Sequence, residues 1–301
     1  MGVVIELKDL EFSYHRTPVL EHVNLSISGD HLIGMIGKNG AGKTTLLNLM
    51  SGEFEEEKGA VMVEGKSPCM DIEVKRKIAY LHAGITYPKG CNLSYILSMY
   101  QSVYEEFDEE FARRLFEYFE IQLNRSYRVH SLGIQSLIRA IFTLATRAPL
   151  TLLDEPVIGM DIEVRNQFYD ILLRDFMEYP RTIIISSHML NEMEHILDEM
   201  ILIKNHTVFL HSDMESIKNS IYQVEANNAL LDQIVGTVEV KEDHRSLLGG
   251  YVCVESGIGE MLKREYGEQI TLSRRRVSDI CVDLLKENQG REMDKLWERT
   301  K

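Results

Sequence analysis

A glycine-rich segment with a lysine and a threonine is the most chemically specific feature of the sequence. It reads Gly37-Lys38-Asn39-Gly40-Ala41-Gly42-Lys43-Thr44, a complete G-x-x-x-x-G-K-T phosphate-binding pattern, and Thr45 begins the apolar stretch that follows. Glycines let the backbone wrap closely around a phosphate group, so that amide N–H groups and a helix N-terminus act as donors. Lys43 would reach the β- and γ-phosphates, and the Thr44 hydroxyl would bind Mg²⁺. The pattern therefore predicts a site for a nucleoside triphosphate.

Two acidic residues end a second apolar run. Asp154 and Glu155 follow Leu152 and Leu153, roughly 110 residues after the glycine-rich segment. Asp154 at the tip of a buried strand would hold the shell of the Mg²⁺ ion. Glu155 would orient or deprotonate an attacking water molecule. Paired acids at a strand end can also be merely solvated, but their occurrence with a phosphate loop favours the catalytic interpretation.

A histidine directly follows a third apolar run. His188 comes after Ile183-Ile184-Ile185-Ser186-Ser187. Most single histidines are structural, but ligands of open α/β sheets bind at the carboxyl ends of the strands. His188 is therefore predicted to lie at the same edge as the phosphate loop and to contact the γ-phosphate.

The elements that must position these residues alternate between strands and helices. Buried strands are predicted just before the phosphate loop, at 150–156 and at 181–188, and amphipathic helices follow them. Residues 3–27 alternate like strands and turns, whereas residues 92–147 have helical periodicity. Alternation on both sides of this helical insert favours a mostly parallel sheet covered by helices.

Together these residues resemble the ATP-binding subunit of an ABC transporter, over about residues 3–215. The resemblance implies that the turn Gly159-Met160-Asp161 matches the family's D-loop, that Asp161 contributes to the nucleotide site, and that Tyr14 stacks on adenine. It also implies that His188 is the switch histidine and that both Glu155 and His188 are catalytic. ATP and Mg²⁺ are the implied cofactors.

Two segments depart from the family pattern. The signature Leu-Ser-Gly-Gly-Gln is matched only as residues 130–134, which keep Ser131 and Gly133. In the family this motif binds the γ-phosphate held by the opposite subunit. At the Q-loop, His82 and Ala83 stand where Pro and Gln are usual. Ala83 removes a ligand of Mg²⁺ or water, and His82 is either a substitute or a surface-loop histidine.

The resulting prediction is an α/β fold, a P-loop NTPase of ABC type. It has a β-rich N-terminal subdomain, a mostly parallel RecA-like sheet, a helical insert at about 85–147 and a small C-terminal α/β extension. The nucleotide-binding domain is predicted over 1–215 and the accessory domain with a polar tail over 216–301.

The C-terminal extension has its own predicted elements. They are strands at 222–226, 236–240 and 250–256 and helices at 258–266 and 277–286. The basic run Arg274-Arg275-Arg276 between the helices is either a solvated turn or a contact for acidic lipid or a membrane partner.

Composition excludes several other classes of protein. The 301 residues include 47 acidic and 33 basic side chains, a formal net charge of −14, which argues against general binding to nucleic acid. The four cysteines form no C-x-x-C pair, so no zinc site or redox dithiol is predicted. The longest apolar stretch, 136–153, is interrupted by Arg139, Arg147 and Pro149 and cannot span a bilayer.

The expected function is an ATPase subunit that powers export through separate membrane subunits. Two copies, or one copy and a related chain, would enclose ATP between the phosphate loop and the opposing signature. Residues 276–285 resemble a degenerate terminal helix of the bacterial exporters of drugs, bacteriocins or amphipathic peptides. The expected location is cytoplasmic, peripheral on the inner face of the membrane. The alternative is an ABC ATPase of translation or DNA repair, although the second nucleotide domain or long coiled coil usual in those proteins is not visible.

Overall fold

The computed structural model describes residues 4–247 and 249–285. The chain divides into two compact units, the first ending at His211 and the second beginning at Ser212. The predicted domain boundary after residue 215 stays a prediction, and the predicted polar tail at 288–301 lies outside the described residues. Within the described residues, no helix is both long enough and apolar enough to cross a membrane.

The first unit alternates strands with helices, as predicted. Its strands are β1 Val4–Tyr14, β2 Thr17–Ser28, β3 Leu32–Gly37, β4 Lys58–Val63, β5 Ile78–Leu81, β6 Leu150–Asp154, β7 Thr182–Ser187, β8 Glu199–Lys204 and β9 Thr207–Asp213, which reaches into the second unit. Its helices are α1 Lys43–Met50, α2 Ile72–Arg76, α3 Leu93–Val103, α4 Glu109–Tyr118, α5 Leu132–Ala145, α6 Ile162–Glu178 and α7 Leu190–Met193, with a 3₁₀ turn at Tyr127–Val129. The predicted helical insert is thus formed by α3, α4 and α5.

Two sheets build the first unit. A six-stranded sheet has the order β5-β6-β7-β3-β8-β9, and the pairs from β5 to β8 are parallel. A three-stranded antiparallel sheet has the order β2-β1-β4. Because parallel strands end at one edge, the order β6-β7-β3 places the ends of three chemically important strands side by side.

The main core packs α1 between side chains of both sheets. Leu46 and Leu47 of α1 are fully buried together with Ile5 of β1, Met35 of β3 and Leu152 of β6. The strands β3, β6 and β7 are buried along their whole length. Burial of both faces is why these strands are continuous apolar runs in the sequence rather than alternating ones. This core fixes the strand ends that carry the site.

The second unit is a separate βαββαβ arrangement. Its elements are α8 Met214–Lys218, β10 Ile221–Ala226, α9 Asn228–Thr237, β11 Glu242–Arg245, β12 Gly250–Glu255, α10 Ser256–Tyr266, β13 Thr271–Arg274 and α11 Val277–Leu285, with a 3₁₀ turn at Gly267–Gln269. The four strands pair antiparallel in the order β11-β12-β10-β13. This order defines a ferredoxin-like unit.

The core of this unit lies between one face of the sheet and the helices α9 and α10. Val224, Val252 and Val254 from the sheet pack with Leu231 of α9 and Leu262 of α10. The opposite face carries Cys253, which is also buried.

One sequence prediction in this unit is wrong. Residues 236–240 do not form a strand, because Gly236 and Thr237 end α9 and the edge strand begins only at Glu242. The apolar residues Val238 and Val240 pack against the core from irregular backbone. Their alternation therefore reflects local burial without strand pairing.

Candidate nucleotide site

The phosphate loop connects β3 to α1, as its sequence context requires. Gly40 and Gly42 have φ values of 79° and 106°, in the left-handed region that glycine adopts without strain. A Cβ atom at Gly42 would lie 2.8 Å from Leu20 Cδ2 and 3.0 Å from Val19 O, so a side chain has no room there. Ala41 N donates to Lys38 O at 3.0 Å and closes the turn.

Lys43 is folded back over the loop. Its ammonium group donates to Gly37 O at 2.8 Å and approaches Lys38 O at 3.4 Å, and the residue is only 7% exposed. Burial lowers the pKa of Lys43, while the negative charges of Glu155 and Asp154 oppose this shift. Within the part of the chain that the structure describes, the Lys43 ammonium group donates to backbone carbonyl oxygens. Phosphate oxygens of a bound nucleotide can replace these acceptors.

The acidic strand end meets the phosphate loop directly. Thr44 Oγ1 donates to Asp154 Oδ2 at 2.8 Å, across 110 residues of sequence. The hydroxyl of Ser186 in β7 donates to the other oxygen, Asp154 Oδ1. Asp154 is itself buried, at 9% exposure. The pair β6 and β7 aligns Asp154 with Ser186, which explains how a buried carboxylate is satisfied.

Glu155 and His188, which were each predicted to be catalytic, lie together in the structure. His188 Nδ1 is 3.0 Å from both carboxylate oxygens of Glu155. The amide of Glu155 donates to the carbonyl and the hydroxyl oxygens of Ser186, at 3.2 and 3.0 Å. Glu155 has a φ of 47°, a strained conformation for a residue with a side chain, and the two bonds that its amide donates to Ser186 hold it.

The donor set at the phosphate loop suits a magnesium triphosphate. The Thr44 hydroxyl and the Asp154 carboxylate already touch, and oxygen ligands of this kind are those that Mg²⁺ prefers. Lys43 supplies the positive charge beside them. The residues therefore fit the metal and the nucleotide that the sequence predicts.

Tyr14 belongs to an aromatic cluster at the end of β1. Its ring packs edge to face against Phe12, with centroids 5.2 Å apart, and against Phe54 at 6.1 Å. Phe12 and Phe54 stack on each other at 5.6 Å. Tyr14 remains 42% exposed, so it is oriented by two rings and still has surface free for a planar ligand.

The start of α5 is in contact with the turn that precedes α6. These segments carry Ser131, Gly133 and Asp161. Ser131 is the N-cap of α5 and accepts a bond from Ile134 N at 3.3 Å. A Cβ atom at Gly133 would lie 2.2 Å from Gly159 O, so the two turns are in backbone contact. Asp161 caps α6 and accepts bonds from the amides of the next turn. Its carboxylate is thus used locally as a helix cap.

The segment after β5 holds the two unusual residues His82 and Ala83. The ring of His82 stacks on Tyr80 at 4.9 Å, and its Nδ1 accepts a bond from Gly84 N at 3.2 Å. Ala83 is exposed. His82 therefore has local partners of its own, which favours the loop interpretation over its use as a substitute ligand.

Three residues of the site were not identified from sequence. Ser186 bonds both Asp154 and Glu155, and a polar residue at an inward position of a buried strand could have indicated it. Phe54 lies within the acidic run Glu53-Phe54-Glu55-Glu56-Glu57, and an acidic run of this kind indicates a solvated face rather than an aromatic contact. Tyr80 donates to Asn48 Oδ1 of α1 at 2.9 Å, and burial raises its pKa.

These features define a P-loop nucleotide-binding fold, and comparison with known proteins identifies the family. The family described as ABC transporter matches residues 20–158. The putative ABC transporter ATP-binding protein AlbC of Bacillus subtilis strain 168 is 30% identical, over 67% of this chain and 88% of that protein. The chain belongs to the ABC transporter ATP-binding proteins and is an ATP hydrolase of that family.

Two further comparisons extend this result. The high-affinity zinc uptake ATP-binding protein ZnuC of the same organism is 29% identical, over 66% of this chain and 90% of that protein. A solved ATP-binding subunit of an ABC transporter matches with a TM-score of 0.65 and 24% identity, over 71% of this chain and 92% of that chain. The predicted fold is confirmed. ATP-binding domains of this family act as dimers with membrane permease subunits.

Proposed function

We propose that this chain is the ATPase subunit of an exporter of amphipathic peptides or drugs, on the inner face of the membrane. The observation that supports the ATPase chemistry is the contact of His188 with both oxygens of Glu155, next to the Thr44 and Asp154 pair. Support for export is the resemblance of residues 276–285 to the terminal helix of that exporter group.

Each residue has a proposed role in hydrolysis. The amides of residues 37–44 and Lys43 bind the triphosphate, and Tyr14 stacks on adenine. Thr44 and Asp154 would hold Mg²⁺, which when bound neutralises phosphate charge. Glu155 accepts the proton of the attacking water, and His188 holds the Glu155 carboxylate in position and contacts the γ-phosphate.

Dimer closure is proposed to couple hydrolysis to transport. The Ser131 hydroxyl and the Gly133 amide contact the γ-phosphate on the opposite subunit, with the start of α5 providing positive potential. The triphosphate then has contacts from both subunits, and hydrolysis removes part of them. A ligand shifts an equilibrium only through such differential contacts. The partner is a second ATPase subunit, identical or related, and integral membrane subunits receive the motion through the segment at 82–100 and the helical insert.

Isolation of the complex tests the partner. Full-length chain carrying Glu155→Gln would be expressed with an affinity tag in its own cells, extracted from membranes with ATP present, and analysed by mass spectrometry. The proposal expects an integral membrane protein as the main associated chain. Ribosomes or nucleic acid in its place would favour the alternative in translation or DNA repair.

Direction requires a separate measurement. The parent chain and the recovered membrane partner would be reconstituted in vesicles with the ATPase outside, and uptake of a fluorescent amphipathic peptide would be followed. ATP-dependent accumulation in the lumen is expected for an exporter. Release of preloaded peptide without accumulation would contradict export while leaving the ATPase assignment intact.

A further inference from the structure

Arg165 connects two segments that carry residues of the site. Its Nη2 donates to Met160 O at 3.1 Å, in the turn just before α6. Its Nη1 donates to Glu192 Oε1 at 2.6 Å and approaches Met189 Sδ at 3.3 Å. Met189 is the residue after His188, and Glu192 lies in α7. One guanidinium group therefore bridges the turn at 157–161 and the segment at 188–193.

Helix geometry explains why Arg165 reaches both sides. Asp161 caps α6, and Arg165 N donates to Asp161 O at 3.0 Å in the first turn. Side chains on a helix point back towards its N-terminus, so a residue in this turn covers the backbone that precedes the helix. The planar group presents donors in two directions and can hold two acceptors at once.

The bridge is largely withdrawn from water. The side chains of Arg165 and Glu192 are 16% and 13% exposed. Arg165 Nε and Glu192 Oε2 are buried and have no hydrogen-bond partner among the described residues. Arg165 thus has one charge-assisted bond, one bond to a carbonyl and one contact to the Met189 sulfur, and loss of the arginine leaves the partly buried Glu192 carboxylate without its cation.

The two segments that Arg165 connects contact different residues of the candidate site. The turn with Met160 lies against Gly133, because a Cβ atom there would be 3.0 Å from Met160 Cα. The other segment begins at His188, which contacts Glu155. A displacement of the turn at 157–161 therefore moves the segment that begins at His188 through the Arg165 side chain, and no strand of the sheet has to move.

We infer that Arg165 is a positioning residue for ATP hydrolysis. It couples the position of the Met160 turn to the placement of His188 beside Glu155. This inference rests on the proposed roles of Glu155 and His188. The partly buried ion pair of Arg165 and Glu192 then has a function beyond stability, because the guanidinium group contacts two segments that carry residues of the candidate site. Glu192 shares this role by holding the group in place.

Four variants of the full-length chain test the inference: Arg165→Met, Arg165→Lys, the double variant Arg165→Met with Glu192→Met, and Arg174→Met as control. Arg174 lies on the same helix and is exposed. ATP turnover would be measured against ATP concentration, and melting temperature in parallel. For Arg165→Met, kcat is expected to fall about 10- to 100-fold, the effect of a small misplacement of reacting groups, while KM changes by less than about twofold. Arg165→Lys should be intermediate, because lysine keeps the charge without the fork.

The double variant separates positioning from stability. It removes both partly buried charges, so its melting temperature is expected to return close to that of the parent while kcat stays about tenfold low or lower. Parental kcat in the double variant, or in a folded Arg165→Met variant, would overturn the inference. Normal turnover in Glu155→Gln would instead overturn the proposed roles of the catalytic pair, whatever Arg165 does.

Discussion

The two units of the chain use buried polar groups in opposite ways. In the first unit, Asp154, Glu155 and His188 follow parallel strands and meet the phosphate loop at one sheet edge. In the second unit, Arg275 bonds Glu242 at 3.2 Å and also pairs with Asp283. That network joins the edge strand β11 to α11, and the thiol beside it, Cys253, lies 4.0 Å from Glu242 Oε2.

Strand direction accounts for this difference. Neighbouring parallel strands end at the same edge, so polar residues placed after each strand converge. Neighbouring antiparallel strands end at opposite edges, and their polar residues are separated. Strands and helices therefore form a candidate nucleotide site in the first unit. In the second unit they form a sheet that is stabilised by ion pairs.

Titration shows the same contrast. Burial lowers the pKa of Lys43 in the phosphate loop, which weakens its hold on a proton and leaves it dependent on nearby anions. Burial raises the pKa of Cys253 in the second unit to about 11. Cys253 is therefore a neutral thiol at physiological pH and an unreactive part of the sheet.

The largest expected effect concerns the convergent edge of the first unit. Glu155→Gln should reduce kcat about 10²- to 10⁴-fold, because the amide cannot accept a proton from water. ATP binding should persist in this variant, whereas Lys43→Ala should lose binding. Turnover and fluorescent-nucleotide titration would measure the two effects, with the exposed Glu178→Gln as control. Normal turnover in Glu155→Gln would remove this residue from its role.

A smaller effect is expected where the first unit would meet another subunit. Ser131→Arg should abolish ATP-dependent dimerisation in a Glu155→Gln background, because the arginine fills the space of the opposing triphosphate. The loss of the α5 cap should lower stability by about 1 kcal/mol. Light scattering with and without ATP checks the dimer, and Ser131→Thr keeps both hydroxyl and cap as a control. Unchanged dimerisation would show that Ser131 does not face the second site.

Tyr14→Ala should have a moderate effect restricted to affinity. Removal of the ring should raise KM for ATP about fivefold and leave kcat nearly unchanged, since stacking contributes about 1 kcal/mol and lies far from the scissile bond. Tyr14→Phe, which keeps the ring, is the matched control. An equal loss of kcat would place the aromatic cluster in the chemistry rather than in nucleotide binding.

The smallest effect on turnover is expected in the second unit. Arg275→Met removes a cation from beside the partly buried carboxylates of Glu242 and Asp283 and should lower the free energy of unfolding by about 1 to 3 kcal/mol. The ATPase rate should remain within about twofold, because no reacting group lies in this network. Chemical denaturation and turnover would be measured beside the exposed neighbour Arg274→Met. A tenfold loss of turnover in a folded variant would break the contrast between the units.

The residues proposed to be catalytic could be selected from the sequence because such chemistry imposes local patterns. The phosphate loop, the Asp154 and Glu155 pair and His188 each follow an apolar run, so both their types and their topological edge could be predicted. The contact between His188 and Glu155 was not predicted: the sequence placed His188 at the sheet edge with the phosphate loop and Asp154, and the structure adds its contact with Glu155.

Residues that act through distant partners were not predictable in this way. No local pattern in the sequence indicates that Arg165 bonds Met160 and Glu192. In the same way, none indicates that the ring of Phe54, which stands within an acidic run, packs on Tyr14. Likewise, Arg275 was grouped with its exposed neighbours as one basic run, although it is paired inside the second unit. In each case the deciding contact joins residues whose spacing follows no periodicity.

The position of β3 within its sheet has a consequence for how the chain matures. β3 is flanked by β7 and β8, so Leu32 pairs with Ile183 and Ile33 with Glu199. A ribosome therefore synthesises the phosphate loop long before either neighbour of its strand exists, and such distant pairing closes slowly. Nascent chains that end within the helical insert carry the nucleotide motif without the sheet that shapes it, because both strands that flank β3 are synthesised later.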